Sequence, residues 1–93
     1  MNAHDVKANA NAAMVRFLKL DLDMAMTFVD IAERAASNER AARCLSEARK
    51  AYDTVLRMIN SVDLSNPERT ELQKRLATLK STLQRLGQSF DSK

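Results

Sequence analysis

Glycine and proline are almost absent from this chain, with Gly87 and Pro67 the single instance of each among 93 residues. Architectures built from strands and tight turns draw on both, and on aromatic and β-branched side chains; here Tyr52 and three phenylalanines are all the aromatics present. Alanine, leucine, methionine and arginine, all favourable in helices, fill their place. An all-α fold follows. Cys44 stands alone, so no internal disulfide can form, which suits a reducing compartment. No run approaches the roughly 18 apolar residues of a membrane-spanning helix, because Arg16, Lys19, Asp21 and Asp23 interrupt the richest stretch. Residues 1–13 also lack the apolar core of a secretory signal. The expectation is a soluble, cytoplasmic protein with no membrane insertion.

Catalytic sets are missing as well. A chain with one glycine holds no glycine-rich phosphate loop, and a chain with one histidine, His4, holds neither a pair of histidines for a metal nor a serine-histidine-acid set with supporting context. Cys44 falls on the apolar side of its helix and reads as a packing thiol. Asp23 and Asp30 lie two turns apart with Thr27 between them, which describes an outward polar strip rather than paired acid-base carboxylates. No enzyme, no cofactor and no metal is expected.

What the sequence does have is helical seams. Leu72, Leu76, Leu79, Leu83, Leu86 and Phe90 recur at alternating steps of four and three, which lines them along one face of a helix. Ala41, Leu45, Ala48, Tyr52, Val55, Ile59 and Val62 do the same before them, flanked by Cys44, Ala51, Leu56 and Met58. The first segment carries two rows, Leu18, Leu22, Ala25, Val29, Ala32 and Ala36 beside Phe17, Met24, Phe28, Ile31 and Ala35, and leaves only a narrow polar strip. Ser37-Asn38 and the stretch 61–67 interrupt these patterns. Each offers capping side chains, and Ser65 with Glu68 has capping-box spacing, although Asn66 competes for the cap. Helices are expected over about residues 11–36, 38–62 and 66–88.

Short connections make successive helices antiparallel, giving an up-down-up three-helix bundle over 11–90 with the first and third helices parallel. A coiled-coil dimer through the last helix is the rival arrangement, but Gln73, Arg75, Lys80 and Thr82 flank the seam without the opposite charges that specify such pairing. Residues 1–10 are read as a tail outside the bundle. The alternative is that Val6, Ala10, Ala13 and Phe17 carry the first helix further back.

Net charge is only +3, yet it is uneven. The middle helix ladders Glu39 with Arg43, Arg43 with Glu47, Arg49 with Asp53 and Asp53 with Arg57, ordinary solvated pairs. Between Glu71 and Asp91, by contrast, Lys74, Arg75, Lys80 and Arg85 occur without an acid. Three explanations compete for these four residues: pairing with Asp23, Asp30 and Glu33 of the first helix, docking of an acidic protein partner, or phosphate of nucleic acid or lipid. Phosphate ranks last, since no helix-turn-helix spacing and no interleaved aromatic accompanies the cations.

The segment 46–56 resembles the second helix of a tetratricopeptide-type hairpin, in which a small residue and then an aromatic four positions on pack against the preceding helix. Ala48 and Tyr52 match, whereas Val55 is larger than the usual alanine and the upstream tryptophan, glycine and tyrosine signature is missing. A helical hairpin followed by a third helix is also similar to microtubule interacting and transport domains, and the chain resembles small helical bacterial proteins without assigned activity. These resemblances imply a module that holds a short peptide and carry over no contacting residues. The expected function is a non-catalytic interaction module, its groove between the first and third helices, facing a protein partner or its own copy. Lys74, Arg75, Lys80 and Arg85 are the candidate partner-binding residues. The alternative is a small nucleic-acid-associated regulator that uses the basic third helix.

Overall fold

Two hydroxyls set where the second and third helices begin. A computed structural model describes the backbone of residues 3–90 and the side chains of residues 9–90. Helix α1 spans Ala3–Arg34, α2 Asn38–Met58 and α3 Asn66–Arg85, with a short 3₁₀ turn, Ile59–Ser61, after α2. Ser37 caps α2: its backbone is extended, and its Oγ accepts from the Arg40 amide at 3.1 Å. Ser65 caps α3. Its Oγ accepts from the Glu68 amide at 3.2 Å, while the Glu68 carboxylate accepts from the Ser65 amide at 3.1 Å. The capping box decides between Ser65 and Asn66, because counting from Asn66 would put Arg69 where the reciprocating acceptor is needed.

The architecture is an all-α three-helix bundle, and no strand occurs among the described residues. One buried row from each helix meets in the core: Leu18, Leu22, Ala25 and Val29 from α1, Leu45, Ala48, Tyr52 and Val55 from α2, and Leu72, Leu76, Leu79 and Leu83 from α3. Small residues dominate where α1 faces α2, so the backbones of that pair approach closely. Leucines hold α3 further out, in the groove between the other two. The third helix rests on α1 as much as on α2.

Three polar links tie α1 to α3 and to the segment just before it, and all three join residues 52 apart in sequence. Asn11 exchanges a reciprocal pair of hydrogen bonds with the backbone of Asp63, at 2.9 and 2.8 Å. Further along, Arg75 pairs with Asp23 and Arg85 with Glu33. A constant offset is the signature of parallel helices in register, so the up-down-up path is followed.

Three boundaries differ from expectation. Helix α1 begins at Ala3, ahead of the expected Asn11, so the segment read as a tail is helical from residue 3; Met1 and Asn2 lie outside the described residues. Among the side chains described, from residue 9 on, the first buried one is Val15, and apolar periodicity placed the start of the helix near it. At 53 × 25 × 23 Å the molecule is elongated along this long helix. Helix α2 gives way to the 3₁₀ turn before Val62, which is buried in extended conformation. Helix α3 ends at Arg85, and Phe90 belongs to a different feature.

Candidate interaction surface

The four basic residues of α3 do not share one face. Arg75 and Arg85 lean toward α1, where Asp23 and Glu33 receive them, the latter at 3.0 Å. Asp30, the third acid expected to join, makes no ion pair with a described residue. Lys74 is exposed beside Arg75, where both line a shallow groove of about 200 Å³ with Met26 and Thr78. This is the groove expected between the first and third helices. It accommodates a side chain rather than a ligand of ordinary size, for which pockets run to roughly 300–1,000 Å³.

Lys80 sits on the opposite flank, its ammonium 5.5 Å from the centre of the Phe90 ring. Phe90 arrives there by a reversal of the chain. Gly87, at φ 105°, supplies the left-handed turn that ends α3, with the Gln88 amide bonded to the Leu83 carbonyl and the Gly87 amide to the Gln84 carbonyl. The ring then packs edge-on against Tyr52 at 5.1 Å, and the Arg49 guanidinium covers it at 3.8 Å. Arg49 also bonds Asp53 and donates to the Ser89 carbonyl. The expected Arg49–Asp53 pair is thus part of a clip that holds Ser89 and Phe90 to α2, while Glu39–Arg43 is the solvated pair its spacing suggests.

A different surface carries four of the six large apolar side chains that are exposed among the described residues, the others being Met26 and, on α2, Leu56. Phe17, Leu20, Met24 and Ile31 are 44, 58, 46 and 38% exposed, and their spacing aligns them along the outside of α1. Phe28, in the same row, is half-buried against the core. By helical rotation this row lies opposite the flank carrying Met26 and Glu33, away from α3. Scattered exposed leucines are common, but these four align over about four turns of the helix. The sequence pattern gave Phe17, Met24, Phe28, Ile31 and Ala35 as a second apolar row, without Leu20. Its signal was the narrow polar strip of the first helix, which left two apolar rows where a three-helix bundle buries one.

Cys44 is half-buried and packs against the core, and His4 lies outside the residues whose side chains are described. No cluster of metal-binding side chains, and no helix long and apolar enough to cross a membrane, occurs among the described residues. Scans against protein-family models, curated proteins and solved structures return no match to this chain.

Proposed function

We propose that the chain is a non-catalytic protein-interaction module that docks through the outer row of α1. The observation that carries this is the row itself: Phe17, Leu20, Met24 and Ile31 stay exposed on a helix whose neighbouring row already supplies the core. Transfer of such side chains from water into an interface is the general driving force for association. The resemblance of segment 46–56 to a tetratricopeptide-type hairpin, carried by the spacing of Ala48 and Tyr52, supports a module that binds another protein.

The basic third helix is the second candidate surface. Its case is weakened by geometry, since Arg75 and Arg85 are engaged by acids of α1 and Lys80 stands over Phe90. The same engagement tells against phosphate recognition, which needs several free cations on one face. A flat anisotropy titration with DNA and RNA at low salt is the expected result.

The deciding experiment compares proteins retained from the native host by the full chain, by Met24→Glu and by Lys80→Glu/Arg85→Glu. Retention should fall at least about tenfold for Met24→Glu, a change near 1.4 kcal/mol in binding, and persist for the double reversal. The opposite pattern would move the docking face to α3. No change in either variant would remove the interaction-module reading.

A further inference from the structure

We infer that the flank of α2 beneath Phe90 is a recognition site for an aromatic side chain, filled at rest by the chain's own segment 87–90 and taken by a peptide segment of another protein when that strap lifts. Its residues belong to α2 and α3, so the site stands apart from the outer row of α1.

The receiving groups are held in place without the strap. Arg49 is anchored within its own helix, where Asp53 Oδ1 accepts from its Nε at 3.1 Å, so its guanidinium is already placed to cover a ring. Tyr52 is 7% exposed and meets the Phe90 ring edge-on. Lys80 comes from α3, its ammonium 5.5 Å from the ring centre. Two cations and a buried aromatic around one ring make an environment that attracts a π system whichever chain supplies it.

The strap, for its part, is separable from the helix it follows. The end of α3 is already closed by the Gly87 and Gln88 amides, which donate to the Gln84 and Leu83 carbonyls before Phe90 is reached. Beyond that cap, the Ser89 carbonyl accepts from Arg49 and the half-buried Phe90 ring fills the site. A backbone carbonyl beside an aromatic side chain is a pattern that an extended segment of another protein can reproduce. Such a segment also has further apolar surface to cover. Leu56, seven residues or about 10 Å along α2 from Arg49 on the same flank, is 49% exposed. The strap competes at an effective concentration of about 1 mM, as short tethers do, so an incoming segment displaces it by adding contacts such as that with Leu56.

The probe is the blocked pentapeptide Leu-Gly-Gln-Ser-Phe, the sequence of residues 86–90, titrated into the isotope-labelled full chain and followed by NMR. In Phe90→Ala the amide signals of Arg49, Tyr52 and Lys80 should shift, with a dissociation constant of about 1 mM, the scale of the strap's own effective concentration. Wild type should need about tenfold more peptide, since a strap seated about nine-tenths of the time raises the apparent constant by that factor. Adding Arg49→Gln to Phe90→Ala should weaken binding about fivefold, and a peptide with alanine in place of phenylalanine should give no shifts. Helicity should be unchanged in Phe90→Ala because the cap precedes the ring; if it falls, Phe90→Leu, which keeps an apolar side chain without a π face, replaces it in the titration. Equal affinity of wild type and variant, or shifts reproduced by the alanine peptide, would overturn the site, as would no binding to either chain. A wild-type mass of twice 10.4 kDa that Phe90→Ala returns to 10.4 kDa would give the site to the strap of a second copy and overturn the foreign occupant.

Discussion

The contact between α1 and α2 and the contact that holds α3 are built from opposite materials. Ala25, Ala32 and Ala48 let the first pair of backbones come close, whereas Leu72, Leu76, Leu79 and Leu83 hold the third helix at the length of a leucine side chain. All of these residues are buried, so exposure does not distinguish the two contacts. Their failure modes do. A close alanine contact has no room for added atoms, and a leucine contact leaves a void when atoms are removed. The same division explains the polar links. Close packing joins α1 to α2 with no side-chain hydrogen bond or ion pair between them among the described residues, while α3 and the segment before it are also tied to α1 by links at one sequence offset.

The sharpest way to break this contrast is to shorten the leucine seam. Leu79→Ala should cost about 2–5 kcal/mol, because the side chain is fully buried in a core to which all three helices contribute. Urea unfolding would measure it, and a cost near zero would mean that α3 is not packed as described. Lengthening the alanine contact comes next. Ala48→Leu should destabilise by about 1–3 kcal/mol through overpacking, and a neutral result would show the α1–α2 approach to be looser than the structure indicates. Smallest is the loss of a polar link. Arg75→Gln should cost less than about 1 kcal/mol in the same assay, since Asp23 is largely solvated and exposed pairs contribute little. A cost above that of Ala48→Leu would make the links, rather than the leucines, the main support of α3.

Much of the fold was legible without coordinates because its signals are local. Apolar spacing marked all three buried rows, and Ser37, Ser65, Glu68 and Pro67 marked where α2 and α3 begin. The start of α1 was misjudged, since periodicity reports burial and the first turns of that helix precede the buried row. The end of α3 was overrun: Phe90 has the right spacing to continue the seam, but Gly87 reverses the chain and brings the ring onto Tyr52 instead. The candidate surface was the least legible part. Pairing of Lys74, Arg75, Lys80 and Arg85 with Asp23, Asp30 and Glu33 was one of three explanations, and Asp23 and Glu33 do receive Arg75 and Arg85; nothing in the spacing said which cations would turn to α1 and which would face an aromatic ring.

By itself, then, the sequence determined the elements, their order and the residues available to each core row, because 3.6-residue periodicity and helix capping act over a few neighbouring positions. Tertiary structure alone decided which of two equally apolar rows on α1 would be covered. Three helices can enclose one row from each member, and the second row of the longest helix was left facing outward. That outcome depends on distance between helices, a quantity set by alanines and leucines acting together across the bundle.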